Sequence, residues 1–402
     1  MLEDLLRIIE ETAPLPRRYR SALPGDVAEL SRLLTAARGE RDNGYLSRPN
    51  LLSAYLRYFL PWNVFRLSRL FSFAPDLPVL SDGDAVSDLG SGPLTLPIAL
   101  WITQPELRKK HLEFRCIDTT GAALDAGKQI FAALAGKTWT IKTIKGPLGI
   151  PVYGKKAKLT AALNVFNEVY PLKLVSQLRP GGSSGPEHSA AGKAVALLGS
   201  LTAEDGSILV MEPGNPQGGA FIASLRAALL TEGRAPLVPC PHAAECPLPG
   251  SPGGRGKAKW CHFAFDTEEA PAALHKLSEA AGIPKERATF SFLLAGQINA
   301  SAPELKQIQI NASNPELKRV QINAALPARD ILHVRSMSDP FPVPGTGWGR
   351  YGCSEKGLIL IAGTKPELDP LKPETLLKLP VPVNAKRDTK TGALMLGLNR
   401  SC

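Results

Sequence analysis

Cysteine and methionine are scarce in this chain, with six and four among 402 residues. Six thiols cannot staple a protein of this length, which excludes a disulfide scaffold and leaves the thiols available to metal in a reducing compartment. No stretch approaches the roughly 18 to 20 uninterrupted apolar residues of a membrane-spanning helix. The opening "MLEDLLRIIEETAP" lacks both the basic-then-apolar order of a secretory signal and the arginine richness of a transit peptide, so a cytoplasmic location is expected. Acidic residues are outnumbered, 37 against 47 basic ones, giving a formal net charge of +10 and a pI near 9.3. That excess favours a polyanionic partner through phosphate neutralisation. What is plentiful is apolar: 44% of residues, enough for one large or two to three ordinary domains with real cores.

Apolar residues recur at helical spacing over residues 1–73, in "LEDLLRIIEE", "VAELSRLLTAAR" and "LLSAYLRYFLPWNVFRLSRLF", which predicts a helical N-terminal region. Its last segment interleaves Tyr55, Tyr58, Phe59, Trp62 and Phe65 with Arg57, Arg66 and Arg69, a pattern that fits either an RNA-facing surface or a packed helix with a solvated basic edge. Residues 74–295 then alternate short apolar strands with amphipathic helices: "AVSDLG" and "PLTLPIALWI", "EFRCIDTT" and "GAALDAGKQIFAALA", "LTAALNVFNEV" and "PLKLVSQL", "SILVMEPG" and "GGAFIASLRAALLTEG". This alternation predicts an α/β domain with a doubly wound parallel sheet and "ATFSFLLAG" as a late strand. Two low-complexity loops, "RPGGSSGPEHSAAGK" and "PGSPGGRGKAK", interrupt it. The near repeat "PELKQIQINAS" and "PELKRVQINAA" suggests paired strands, and with "DILHVRSMSD" and "KGLILIAG" it gives a small β-rich region over 296–364. The Pro/Lys-rich end, 365–402, reads as a poorly ordered tail.

In "VSDLGSGPLTLPIALWI", Asp88 ends a strand and Gly90 and Gly92 precede a helix, so the backbone can approach a ligand at the carboxyl edge of the sheet. The next strand ends in Asp118, a carboxylate able to accept ribose hydroxyls. Thr95 stands where a dinucleotide fingerprint needs its third glycine; D-x-G-x-G with an acidic end to the second strand is instead similar to the S-adenosylmethionine site of class I methyltransferases. The alternative is a turn that needs glycine for geometry alone. "NVFNEVYP" is not an N-P-P-Y motif for amino methylation, and no catalytic base can be named. Asn164 within it fits a cofactor contact or a turn residue equally.

"PCPHAAECPLPG" sets Cys240 and Cys246 among four prolines, which fix φ and stiffen the loop over 239–262. With Cys261 the spacing is C-x5-C-x14-C, His242 and His262 lie close by, and Cys353 in "RYGCSEKG" is far along the chain. Zinc and iron-sulfur both fit: close C-x2-C pairs are missing, four irregularly spaced thiolates can hold a [4Fe-4S] cluster, and three Cys with His242 or His262 can hold zinc. Cys116 lies in a buried-looking strand and Cys402 on the tail, so neither is chosen as a ligand.

The two sites in this order resemble one family, the methyltransferase-like assembly factors of the mitochondrial small ribosomal subunit and their bacterial relatives. The resemblance runs through "YLRYFLPWN", "DLGSGP", "NVFNEVYP", "EPGNPQG", "PCPHAAECPL", "WCHF", "SDPFPVPG" and "RYGCSEKG". It implies a class I (Rossmann-like) methyltransferase domain, an S-adenosylmethionine site at Asp88, Gly90, Gly92, Asp118 and Asn164, and a [4Fe-4S] cluster on Cys240, Cys246, Cys261 and Cys353. It implies association with small-subunit ribosomal RNA and assembly intermediates, which agrees with the basic charge. A bacterial member, monomeric off the ribosome, is expected; methyl transfer is left open.

Overall fold

The computed structural model describes residues 2–35, 37, 40, 44–73, 78–169, 189–250, 259–297, 331–345 and 347–398. Its centre is a sheet of β1 (Ala85–Leu89), β2 (Glu113–Asp118), β3 (Thr140–Lys145), β4 (Ala157–Leu163), β5 (Thr202–Pro213), β6 (Arg234–Val238), β7 (Phe263–Asp266) and β8 (Arg287–Gln297). The order is β3-β2-β1-β4-β5-β8-β6, with β7 paired to β8. β1 to β5 run parallel, whereas β8 is antiparallel to β5, β6 and β7. The sheet is therefore mixed, not wholly parallel as the alternation suggested. This arrangement, with one reversed strand inserted beside β5, is the class I methyltransferase fold.

Period-two alternation makes both faces of β5 apolar. Leu209 and Met211 join a core with the N-terminal helices and helices Thr95–Thr103 and Gly121–Ala135; Ile208 and Val210 join a second core with helices Ala190–Leu201 and Pro216–Thr231. The N-terminal region is helical as expected, over Leu2–Thr12, Leu23–Leu34 and the run from Pro49 to Phe71. That last run widens into a π-helical turn at Tyr55–Phe59. Pro61 follows at once; it has no N–H for the carbonyl four residues back and would clash with it, and a wider turn relieves both.

A second sheet holds β9 (Ile331–Ser336), β10 (Phe341–Val343), β11 (Gly347–Ser354), β12 (Gly357–Gly363), β13 (Leu376–Pro380) and β14 (Leu394–Gly397), in the order β13-β9-β11-β12-β14 with β10 on β11. Leu332, Val334, Ile359, Ile361, Leu379 and Leu396 form its core. The segment expected to be a tail thus supplies two strands. Its leucines repay ordering because both strands bury them against β9 and β12, which composition alone does not reveal. The near repeat, most of both low-complexity loops and Cys402 lie outside the described residues.

Candidate functional site

A cavity of about 360 Å³ opens at the carboxyl ends of β1, β2, β4 and β5. The strand order reverses between β1 and β4, and the diverging connections leave the crevice in which such sheets bind ligands. Gly90 (φ 65°) and Gly92 (φ 51°) form one wall. A Cβ on Gly90 would stand 2.4 Å from Val165 Cγ2, so this left-handed turn tolerates no side chain. Asp118 stands opposite, accepting the Gly92 N–H at 2.9 Å and the Thr120 N–H at 2.8 Å. Burial raises its pKa, and those N–H groups partly offset the rise.

Asp88 plays a different part. It is 1% exposed and is not among the cavity-lining residues; it accepts the Ser91 hydroxyl and so holds the glycine loop from below. Burial pushes its pKa up to about 7. Asn164 lines the cavity and also occupies a left-handed turn (φ 57°), with its N–H on the Met211 carbonyl at 2.7 Å. The turn reading of that residue is the one the backbone shows. Glu212, fully buried, accepts the N–H groups of Phe166 and Asn167 at 2.9 and 3.2 Å and fixes the start of the helical turn Phe166–Val169 beside the cavity. Burial lifts its pKa to about 8.

The far wall was missed by reasoning on motifs. Tyr55, Phe59, Asn63 and Arg66 reach it from the N-terminal helix, and Lys285 from the approach to β8. Arg66 donates to Asn63 Oδ1 at 2.9 Å. Burial, then the charge of Arg66, lowers Lys285 to about 7. The cavity accordingly has an acidic side, Asp118 and Glu168, and a basic side, Arg66 and Lys285. The first suits hydroxyls or an ammonium; the second suits a carboxylate or phosphate. Tyr55 and Phe59 are half-buried and stand at the two ends of the π-helical turn that Pro61 follows.

The interleaved aromatic segment does not form an RNA-facing surface. Tyr58, Trp62 and Phe65 are buried in the core, and Arg57 is 6% exposed with its Nε on Glu10 at 2.7 Å. Core packing claims the aromatics because the helix lies between the N-terminal helices and the sheet.

The second site lies where the two sheets meet. Arg226 donates to the carbonyls of His242 and Ala244 at 2.8 and 2.7 Å, pinning the proline-rich loop. Arg335 on β9 donates from Nε to the Pro239 carbonyl at 2.9 Å, and the ladder sets Cys353 on β11 opposite Arg335. His242 Nε2 lies 3.3 Å from Cys353 Sγ. Cys240, Cys246 and Cys261, all on the connection from β6 to β7, come near Cys353 on β11. Burial raises all four thiol pKa values, and Cys261 is raised further by each of the other three, whereas Arg226 favours its thiolate. Burial, then Arg226, lowers His242 to about 4, so it is neutral at pH 7. Among the described residues no three His, Cys, Asp or Glu side chains converge in a metal-ion arrangement. Zinc thiolates at 2.3 Å from the ion would sit only about 4 Å apart. Cys116 is buried in β2, away from this cluster.

Residues 193–323 match a family model described as "Mitochondrial small ribosomal subunit Rsm22". This stretch is Rsm22-like. The Rsm22 match spans Cys240, Cys246 and Cys261 but stops before Cys353, and it begins after the glycine loop, so the two ends of the resemblance rest on residues outside it. No curated protein matches the chain. Among solved structures, a methyltransferase from Geobacter sulfurreducens in complex with S-adenosyl-L-homocysteine is 14% identical, with 67% of this chain and 98% of that one covered and a TM-score of 0.32. Magnesium protoporphyrin IX methyltransferase from Synechocystis, with bound S-adenosylmethionine, is 11% identical, with 60% and 84% covered and a TM-score of 0.34. A methyltransferase from Thiobacillus denitrificans is 15% identical, with 58% and 91% covered and a TM-score of 0.32. At such similarity the class I assignment rests on the strand order itself. No helix among the described residues is long and apolar enough to cross a membrane.

Proposed function

We propose that this protein is a methyltransferase-like, RNA-binding factor of small ribosomal subunit assembly that holds S-adenosylmethionine in the carboxyl-edge cavity and a [4Fe-4S] cluster on Cys240, Cys246, Cys261 and Cys353. The observation that carries the reading is the meeting of three half-buried thiols of the β6–β7 connection with the buried thiol of Cys353 on β11, beside Arg226 and Arg335. The thiols prefer to stay protonated when empty, so loading would release protons and lock the interface. Iron-sulfur is the reading taken here because four thiolates at irregular spacing can hold a cluster. When bound, the cluster would supply a covalent tie between the sheets.

In the cavity, Asp118 is the group for ribose hydroxyls, the Gly90–Gly92 turn admits the cofactor close to backbone, and Asn164 and Tyr55 border it. Asp88 orders the loop through Ser91. The Rsm22 match and the basic charge support a ribosomal RNA partner. Binding comes first in this reading, since no described side chain has the geometry of an assigned catalytic base.

Anaerobic purification with iron, sulfide and zinc analysis tests the cluster: about four irons and four sulfides per chain support it. One zinc per chain would instead favour a second reading, three cysteines with His242, for which the 3.3 Å approach of His242 to Cys353 speaks. Enrichment of small-subunit RNA over other RNA at moderate salt tests the partner; equal recovery of both would sink it. Labelled methyl transfer to immature small-subunit RNA, lost in Asp118→Ala, would make the protein an active methyltransferase as well.

A further inference from the structure

A second cavity, of about 370 Å³, lies between β7 and β8 on one side and β11 on the other. Its chemistry differs from the first. Trp260 and His262 stack with centroids 5.0 Å apart and planes 24° off parallel. Tyr351 faces them from β11, with Lys259 Nζ 4.2 Å from its ring centroid. Leu248, Ala264, Met337 and Leu358 supply the apolar lining, while Arg287, Ser338 and Asp339 bring a cation, a hydroxyl and a carboxylate. Arg287 is paired with Asp339 at 3.0 Å, but its side chain is 42% exposed and can reach a ligand at the rim.

Flat π faces on two walls, cations at the edge and an apolar floor match one ligand class closely. A nucleobase stacks on aromatic rings whatever its identity, and its 5′ or 3′ phosphate meets the cations. An acidic peptide would use Lys259 and Arg287 but leave the stacked pair idle; an aliphatic ligand would leave the cations idle. The position agrees with this. Trp260 donates from Nε1 to the Gly214 carbonyl at 3.1 Å, and Gly214 lines the first cavity. Thr289 of the first cavity and Arg287 of the second are two residues apart on β8, hence on one face of that strand. Lys285 continues the cationic line into the first cavity.

We infer that the second cavity takes an unstacked nucleotide of single-stranded RNA, whose strand continues along Lys259, Arg287 and Lys285 towards the first cavity. This rests on the RNA-binding reading above and names the place where a strand is gripped. Because stacking tolerates every base, the pocket reads strandedness and not sequence.

The test uses the full-length protein and a fluorescein-labelled single-stranded hexauridylate, with a duplex RNA of equal length as control, alongside 4-thiouridine crosslinking. Expected are preference for the single strand, crosslinks to peptides bearing Trp260, His262 or Tyr351, and a loss of about ten-fold or more in affinity for Trp260→Ala, largely restored in Trp260→Phe. Tyr351→Ala, further from the loop, guards against a folding defect in Trp260→Ala, and S-adenosylmethionine binding checks that the first cavity survives. RNA that binds wild type and both alanine variants alike, with crosslinks elsewhere, overturns the pocket and leaves RNA binding standing. Failure of hexauridylate and of small-subunit RNA to bind wild type at all overturns both readings, and displacement by an acidic peptide with no crosslink at the pocket overturns the nucleotide assignment.

Discussion

The carboxyl-edge cavity and the cysteine junction are assembled in opposite ways. The cavity's acidic half comes from the carboxyl end of β2, with Asp118, and from the helical turn after β4, with Glu168; backbone N–H groups hold Asp118, and Glu212 beneath holds that turn. The junction draws on segments more than 110 residues apart, and two arginines hold it through carbonyls. The lesson is one of dependence: a local site survives loss of a distant part, whereas a junction fails with either sheet.

The sharpest way to break that contrast is Cys353→Ser. It changes one residue on β11, yet most of the iron should be lost and residues 331–398 should become the first site of limited proteolysis, while S-adenosylmethionine binding persists. Retained iron with a protected second sheet would remove Cys353 from the ligand set. Next comes Arg335→Ala, which leaves the Pro239 carbonyl and the Glu374 carbonyl without their donor. A loss of about 2–3 kcal/mol in denaturant unfolding is expected, because buried acceptors lose a charged partner. Arg335→Lys should recover little of it, since one ammonium cannot span both carbonyls.

Asp118→Ala tests the other side. S-adenosylmethionine affinity, read by calorimetry, should fall about ten-fold or more with iron content unchanged. A parallel fall in iron would mean that the two sites are one cooperative unit. The smallest effect is in pH. Asp88 and Glu212 are raised to about 7 and about 8, whereas their unfolded counterparts titrate near 4, so the folded state holds more protons in between. Stability should therefore fall as pH rises from about 4 to 7–8, against the usual trend for carboxylates, and Asp88→Asn with Glu212→Gln should flatten that slope in thermal melts.

Particular residues show what could be read in advance. The glycine loop and Asp118 were legible because a strand-turn-helix motif is local and its glycines answer to backbone geometry. The proline-rich cysteine loop was legible as a rigid thiol site, and Cys353 was reached through family resemblance. β3, β6 and β11 were harder: "TWTIKTIK" lies at the sheet edge, Pro236 interrupts "RAPLV", and glycines break "GWGRYGCS", so each lacks a clean apolar pattern. β13 and β14 were hidden in a Pro/Lys-rich composition and form because β9 and β12 offer ladders to them. Lys285 carried no motif at all, and Arg66 was singled out only within the aromatic and arginine pattern, not as a wall of the cavity.

By itself, then, the sequence determined the α/β class, the helical start, the position of the glycine turn and the stiffness around Cys240 and Cys246, all properties fixed within a few turns or strands of chain. Tertiary structure decided that β8 runs backwards, that Asp88 supports the cavity while Tyr55, Arg66 and Lys285 line it, and that Cys353 meets His242. Those outcomes depend on which surfaces bury each other, and burial is a property of pairs of segments that no single segment encodes.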